Sequence, residues 1–345
     1  MYGSNIVIGL ACLWLTACSP PNELEDHFQT YLKRVAHVLE VAEPTLSRAS
    51  ALPPLPPQRA LQQQQPRVST GLLDALKLGR CGLLDMVGEH NSPIGKSRTA
   101  AAQLLYHLTF QQGLQRCLAN TEDAELTGWL HDIAAQKAPL LPGYHWNMMV
   151  AEPDIRAALT PRQRTLAFAQ QDGYQETVNA FILFERLQAE ARGKKPGVRL
   201  LTQKELNQAL SGLYRNEYLG RLFYSLHSAA HYLDQSLAFL QQLEHFDCHR
   251  GGRIRAERLR NAMRRYYIDG IQGYFGRIDR QFVELAPLLQ STLNPPPARQ
   301  EQMRVYRNHV GAGLHSEIYR RYRSLTLAHA RLWQRFLQRC DISPT

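Results

Sequence analysis

Residues 202–246, TQKELNQALSGLYRNEYLGRLFYSLHSAAHYLDQSLAFLQQLEHF, contain the pattern that decides the fold class. Thr202 and Glu205 have the spacing of a capping box, in which each side chain bonds the backbone of the other residue at the start of a helix. Apolar residues then recur mostly at spacings of three, four and seven: Leu213, Leu219, Phe223, Leu226, Leu233, Leu237 and Leu240. This period predicts a helix that continues to Phe246.

The same period recurs along most of the chain and predicts an all-α fold, a bundle of about eight helices. Earlier helices are predicted at residues 23–42, 71–87, 96–119, at 121–137 with Thr121 as cap, and at 161–192, where Thr160, Pro161 and Gln163 form a capping box. An irregular crossing is predicted at residues 139–161. Residues 253–289 and 299–340 are two long periodic stretches on either side of three prolines, so they predict a long C-terminal antiparallel helical hairpin.

The composition is that of a globular protein. The chain has 345 residues, of which 44% are apolar and 20% charged, and its mean hydropathy is -0.36. These values exclude a disordered chain and a polytopic membrane protein. We expect one continuous domain with three parts: residues 18–70 (tether, first helix and a Pro/Gln-rich strap), an N-terminal helical part (71–198) and a C-terminal helical part (199–345). The Pro/Gln-rich residues 44–66 fit either a strap across the bundle or a solvated linker.

The amino terminus predicts a lipid anchor. An apolar run at residues 6–16 leads into Leu15, Thr16, Ala17 and Cys18, which has the form of a bacterial lipobox. We therefore expect residues 1–17 to be a lipoprotein signal peptide and Cys18 to be acylated, for example with palmitate. Ser19 favours the outer membrane facing the periplasm, with the lipid bilayer as the first partner. The alternative is an uncleaved signal anchor or a chance match. Met1 to Asn5 carry no Lys or Arg, whereas such signals normally have a basic start.

Four cysteines remain for disulfides: Cys81, Cys117, Cys248 and Cys340. An even number in an oxidising compartment predicts two bridges with three possible connectivities. In an antiparallel hairpin, facing residues have a constant index sum, and the midpoint of Cys248 and Cys340 is Asn294, beside the prolines. This arithmetic favours Cys248–Cys340 and leaves Cys81 to Cys117, although residue 99, their midpoint, lies past the nearest turn signal.

Positive charge is concentrated in the last part of the chain. From Arg250 onward there are 18 arginines, no lysine and seven acidic residues, so this part has a net charge of +11, against +10 for the whole chain. Arg253, Arg260 and Arg264 are candidate binding residues for an anionic envelope component or an acidic protein. The alternative is a solvated helix face. Nucleic acid is not expected as a partner in that compartment.

Histidine spacing raises the possibility of a metal site. His227 and His231 lie four residues apart on a predicted helix, a spacing that can ligate a metal, but Ser228 stands where a zinc protease has its Glu. A second group contains His245, Asp247, Cys248 and His249, but ligation there requires a reduced Cys248. Ordinary surface histidines are the alternative at both places. No catalytic residue and no cofactor is predicted.

Several motifs resemble a known family. They include Gly71, Leu72, Leu73, Asp74, Ala75, Leu76, Cys81, Glu89, His90, Asn91, Ser92, Gly95, Lys96, Tyr106 and Cys117, then Tyr267, Ile268, Ile271, Gln272, Tyr274, and finally His329, Leu332, Trp333 and Cys340. Together they resemble the proteobacterial lipoprotein family called domain of unknown function 3080. The resemblance implies a lipoprotein without an assigned activity. The family's usual Arg before Asn-Ser is His90 here, so any role of that Arg does not carry over.

The turn at Glu89, His90, Asn91 and Ser92 is a further candidate binding site. A cap of the following helix by Ser92 or Asn91, with Pro93 at its first position, is the alternative and favoured interpretation. The sequence as a whole predicts a membrane-anchored periplasmic lipoprotein, a non-enzymatic binding or envelope-structural protein. The alternative is a metal-dependent or hydrolytic envelope enzyme that uses the region of His227 and His231.

Overall fold

The computed structural model describes residues 22–66, 68, 71–193, 201–249 and 251–343, without the side chains of residues 72–74. The predicted signal peptide, Cys18 and Arg250 lie outside these ranges. Within them every regular element is a helix and no strand occurs, which confirms the all-α class. Among the same residues, no helix combines the length and the apolar character that crossing a membrane requires.

The described part of the chain contains eleven α-helices of eight or more residues. They are α1 (Glu23–Leu39), α2 (Leu84–Asn91), α3 (Ala100–Asn120), α4 (Ala124–Lys137), α5 (Leu141–Ala151), α6 (Tyr174–Ala191), α7 (Gln203–Leu213), α8 (Tyr218–Leu240), α9 (Gly252–Ala262), α10 (Gly273–Thr292) and α11 (Glu317–Arg339). Shorter α-helical turns are Gln58–Leu61, Leu72–Lys77, Pro93–Lys96, Pro153–Leu159 and Gln300–Tyr306. The expected number of about eight was too low because several predicted helices are divided.

Helix α8 lies at the centre of the molecule. Sixteen of its 23 residues are buried, as expected for a helix surrounded on most sides by others. It packs along α11 and also contacts α1 and α10. The main hydrophobic core around it includes side chains from Leu24 to Ile342. A second, smaller core lies between α3, α4 and the turn at Leu78–Cys81.

The stretch of residues 202–246 is divided into two helices. The capping box of Thr202 and Glu205 is present, but α7 ends at Leu213 and α8 begins only at Tyr218. Between them Arg215 has a positive φ of 55°. Asn216 holds this break: its Nδ2 donates to the carbonyl of Gly173 at 2.8 Å, and its Oδ1 accepts from the amide of Tyr218 at 3.0 Å.

The helix predicted from residue 161 was wrong in its first half, because α6 begins at Tyr174. Hydrogen bonds to other parts of the fold compete with the helix. Arg221 donates to the carbonyl of Thr165, Tyr274 to that of Leu166 and Arg277 to those of Ala167 and Gln170. The hydroxyl of Thr160 donates back to Arg156 rather than capping a new helix. These bonds pair the backbone carbonyls of a non-helical segment for which the local sequence predicts a helix.

Other boundaries also differ. The irregular crossing at residues 139–161 is helical, because Pro142 and Pro153 lie in first turns, where no amide hydrogen is needed. Asp123 rather than Thr121 caps α4, and its carboxylate accepts from the amide of Leu126 at 3.0 Å. The predicted helix at 71–87 is interrupted by the turn at Leu78–Cys81 and by Gly82, which has a positive φ of 66°.

The C-terminal part is more complex than a two-helix hairpin. Its first arm is continuous, because a π-helical segment, Met263–Gln272, joins α9 to α10. Its second arm is broken between Gln300–Tyr306 and α11, where Gly313 has a φ of 58° and lies against the backbone of Ala286. Helix α11 packs chiefly against α8 and reaches the first arm through ring contacts, such as Tyr322 on Phe275 at 5.5 Å.

Both predicted disulfides are confirmed. Cys248 and Cys340 are bonded with a Cα–Cα distance of 5.2 Å, and Cys81 and Cys117 with 5.3 Å. The first bridge joins the turn before α9 to the end of α11. The second joins the turn at Leu78–Cys81 to α3.

Residues 44–66 lie against the helices in an extended path with one short helical turn. Leu52, Leu55 and Leu61 are buried. The carbonyl of Leu61 accepts from Trp146 Nε1 at 2.8 Å, and that of Pro56 accepts from Arg156 at 2.9 Å. The hydroxyl of Tyr224, on α8, donates to the carbonyl of Ala49 at 2.9 Å. Residues 44–66, the strap, therefore cover α5 and α8.

Candidate functional site

An arginine surface lies on α9 and the following π-helical segment. It consists of Arg253, Arg258, Arg260, Arg264 and Arg265, on the side of the helix away from Ala256, Leu259 and Met263, which are buried. The apolar residues fix which face of the helix is turned inward, so the arginines between them are turned outward.

Most charges of the arginine surface are not neutralised by neighbours. Arg253 pairs with Glu257 at 3.7 Å, and Arg260 bonds the side chain of Asn261 and the carbonyl of Ser343. No hydrogen bond or ion pair to another described residue is found for Arg258, Arg264 or Arg265. These three guanidinium groups are therefore available to carboxylates or phosphates of a partner.

Two exposed isoleucines accompany these arginines. Ile254 is 62% exposed and Ile268 is 39% exposed. Together with Arg258 and Arg265 they give this side of the helix apolar and cationic contacts. Such a combination fits a partner surface that is acidic and partly apolar.

Arg255 has a different role from its neighbours. Its guanidinium donates to the carbonyls of Val38 and Leu39 at the end of α1, both at 3.2 Å, and lies 5.9 Å from the centre of the Phe246 ring. A cation at the C-terminus of a helix satisfies its last carbonyls. Arg255 thus attaches α9 to α1 rather than facing a partner.

The start of α9 is held from two sides. The Cys248–Cys340 bridge attaches the preceding turn to α11. Arg339, next to the bridge, donates to the carbonyls of Leu243 and Glu244 at the end of the helical region that follows α8. The arginine surface therefore begins on a fixed support.

Helix α1 runs antiparallel to the arginine-bearing helix. Arg255 bonds the carbonyl of Val38, Arg34 lies 5.5 Å from the ring centre of Tyr266, and His27 lies beside Gly270. Asn22, where the described chain begins, is therefore at the end of α1 opposite to Arg253. The 17 residues of α1 separate the two by about 25 Å.

The segment Glu89–Ser92 lies beside the smaller core instead and is exposed or half-buried. Ser92 Oγ accepts from the amide of Gly95 at 3.0 Å and Pro93 follows as the first helical residue, so the capping interpretation is confirmed for Ser92. Asn91 is the exposed last residue of α2, and Glu89 pairs with Arg98. The ring of His90 stacks on Tyr106 with 3.9 Å between centroids.

His90 lies in a cationic and aromatic environment that the sequence did not reveal. Its pKa is lowered by burial and by the charges of Arg98 and Lys137. His107 lies across from it with ring centroids 5.4 Å apart and stacks on Tyr144 at 3.8 Å. Tyr106 and His107 are adjacent in the sequence of α3, but nothing local indicates that His90 stacks on Tyr106 or that Lys137 comes close from another helix.

His227 and His231 both contact the strap and do not form a metal site with each other. Nε2 of His231 lies 2.9 Å from the carbonyl of Ser47, and that of His227 lies 3.5 Å from Ser50 Oγ. Within the described ranges, no group of three or more His, Cys, Asp or Glu side chains is placed to hold a metal ion. Cys248 is in a disulfide, so the group at residues 245–249 lacks its thiolate.

Comparison with known proteins gives a family but no activity. A family model described as "Protein of unknown function (DUF3080)" matches residues 28–344. No curated protein and no solved structure matches the chain. The match covers all of the helices described above except the first turns of α1.

Proposed function

Because the chain belongs to the DUF3080 family of proteins of unknown function, its own surface must guide the assignment, and we propose that it is an envelope lipoprotein that binds an acidic partner. In this proposal acylated Cys18 attaches the protein to the outer membrane, facing the periplasm. The arginine surface is the binding face. The protein acts as a binding or structural component rather than as an enzyme.

The unpaired arginines are the observation that carries this proposal. Arg258, Arg264 and Arg265 are exposed on one continuous helical arm, and none of them forms a hydrogen bond or ion pair with another described residue. Positive charges on neighbouring turns of one helix repel each other, and an acidic partner reduces this repulsion. Ile254 and Ile268 add apolar area to the same contact.

The position of the arginine surface favours a partner other than the lipids next to the anchor. The four residues from Cys18 to Asn22 extend at most about 14 Å. Arg253 lies about 25 Å beyond Asn22 along α1, and Arg265, next to Tyr266 opposite Arg34, lies about 18 Å beyond it. An acidic protein of the envelope, reached away from the membrane, therefore fits this geometry better than the headgroups around the acyl chains.

The proposed binding face can be tested by measuring how binding of an anionic probe depends on salt and on the arginines. The probe is polyglutamate, with anionic phosphatidylglycerol vesicles as a second probe, and the full chain is purified in detergent. We expect polyglutamate to bind, and binding to weaken steeply between about 50 and 300 mM salt. The triple variant R258Q/R264Q/R265Q should lose most of this binding. The matched control R59Q/R116Q/R320Q removes three exposed arginines elsewhere and should retain it.

Two results would contradict the proposed binding face. Equal losses in the two triple variants would show that net charge alone attracts the probe. Binding to phosphatidylglycerol vesicles but not to polyglutamate would indicate a lipid partner. The anchor is tested separately: incorporation of radiolabelled palmitate should occur in the natural chain and be lost in Cys18→Ser.

A further inference from the structure

A cavity of about 360 Å³ lies where four separate parts of the chain meet. The strap contributes Gln63 and Gln65, α5 contributes His145 and Trp146, and the end of α6 contributes Gln188 and Arg192. The fourth wall is the turn after α10, with its three consecutive prolines. The cavity is distinct from the arginine surface.

Buried hydrogen bonds fix the walls of the cavity. Gln188 Nε2 donates to the carbonyl of Ser291 at 2.6 Å, which attaches α6 to the end of α10. Asn147 bonds the backbone amide and carbonyl of Gln63 at 2.8 and 2.7 Å, which holds the strap to α5. Because these groups are already paired, the cavity keeps its shape without a ligand.

His145 presents a hydrogen-bond acceptor. It is 2% exposed, and its Nε2 lies 3.0 Å from the carbonyl of Phe184. A carbonyl only accepts, so Nε2 carries the proton and Nδ1 has a free lone pair. No described residue donates to that Nδ1. Burial and the charge of Arg192 lower the pKa of His145 to about 4, so the ring stays neutral at pH 7.

Arg192 gives the cavity its positive charge. It is the one ionised side chain among the described residues that line the cavity. Its guanidinium has no hydrogen bond and no ion pair with any described residue, and no lining Asp or Glu neutralises it. The remaining polar walls are amides and the hydroxyl of Thr292. Gln188 pairs through its nitrogen, and no hydrogen bond from another described residue to its side-chain oxygen is found.

From this donor and acceptor set we propose that the cavity binds a small organic carboxylate that also carries hydroxyl or amide donors. The carboxylate pairs with the guanidinium of Arg192. A hydroxyl or amide N–H of the ligand donates to Nδ1 of His145 or to the oxygen of Gln188. A single arginine with neutral amides suits one negative charge better than a phosphate dianion. Trp146 and the prolines provide the apolar wall.

The ligand class can be tested on the full chain purified in detergent. The probes are D-glucuronate and N-acetyl-glycylglycine, each compared with its uncharged methyl ester or amide by saturation-transfer NMR and calorimetry. We expect at least one carboxylate to bind and its neutral counterpart to bind about tenfold more weakly. Arg192→Gln should weaken the carboxylate by a similar factor. Arg320→Gln, on an exposed arginine of α11, should leave it unchanged.

A second variant locates the site. A Cβ at Gly143 would collide with the side-chain amide of Gln65, so Gly143→Ala should move that amide within the cavity and change the affinity. The proposal is overturned if neither carboxylate binds up to about 10 mM, if the neutral probes bind equally well, or if Arg192→Gln and Gly143→Ala both leave binding unaltered. Thermal unfolding of each variant verifies that the fold is retained.

Discussion

Three histidines are buried in the fold as neutral rings. They are His107, His145 and His329, and burial lowers their pKa values to about 3, 4 and 3. His329 is fully buried, with its Nε2 at 3.1 Å from the hydroxyl of Tyr31, which also accepts from Trp333 at 2.7 Å. An unfolded histidine has a pKa near 6.5, so each of the three titrates differently in the two states.

We predict a loss of stability in mild acid. Below about pH 6.5 the unfolded chain binds protons that the native state excludes, so the contribution of these rings is complete above that pH and declines as pH falls toward their native pKa values. Well below pH 6.5, each histidine should lower the free energy of unfolding by up to about 1.4 kcal/mol per pH unit. Denaturant unfolding between pH 7 and 5 measures this slope, and a flat profile would contradict neutral burial.

Helix caps allow a comparison between two threonines. Thr202 accepts from the amide of Glu205 at 3.2 Å, whereas Thr121 has the sequence position of a cap but Asp123 holds that place. We predict that Thr202→Ala lowers the free energy of unfolding by about 1 kcal/mol. Thr121→Ala should change it much less. Urea unfolding of both variants tests the difference, and equal effects would contradict the assigned caps.

The helix caps could be predicted only in part from the sequence. The capping box at Thr202 and the cap at Ser92 follow from residue types at fixed spacing, and both are present. Thr121 and Thr160 have equally suitable side chains, yet neither caps a helix. At residue 121 a carboxylate two positions later is the stronger acceptor, and at residue 160 the backbone beyond it is bonded elsewhere. Local spacing gives no information about such competitors.

At the scale of elements, residues 160–173 show how hydrogen bonds from side chains distant in sequence take the place of the hydrogen bonds of a helix. The guanidinium of Arg221, 8% exposed, donates twice to the carbonyl of Thr165. Leu166 donates its amide to Ser225 and accepts from Tyr274. These donors come from α8 and α10, more than 50 residues away in sequence, which is why periodicity alone predicted a helix here.

We predict that Arg221→Ala lowers the free energy of unfolding by about 2–3 kcal/mol, because the buried carbonyl of Thr165 loses its donor. Arg164→Ala changes an exposed arginine of the same segment, for which no hydrogen bond to a described residue is found, and should have little effect. Thermal unfolding compares the two. A similar small effect of both substitutions would contradict the anchoring role of Arg221.

At the scale of the whole molecule, two disulfides join parts that are distant in sequence. The separations are 92 residues for Cys248–Cys340 and 36 for Cys81–Cys117. We predict that C248S/C340S lowers the free energy of unfolding by about 4–5 kcal/mol and C81S/C117S by about 4 kcal/mol on the chain-entropy account. Chemical unfolding of each double variant measures this, and no loss in either would contradict an entropic contribution.

The long-range arrangement was the least predictable part. The index sum identified Cys248 and Cys340 as partners, because the two arms do run in opposite directions past each other. It could not show that α11 packs mainly on α8, since both α8 and α10 offer apolar residues with the helical period. Which of two suitable surfaces a helix covers is decided by the packing of the entire core.

The Cys248–Cys340 bond also makes the last part of the chain a closed covalent ring. A protease that cuts once at the broken stretch around Gly313 would therefore release nothing. The two fragments would migrate as one band on an electrophoretic gel until a reducing agent is added. Release of any piece of this ring in an oxidising environment thus requires either two cuts inside it or prior reduction.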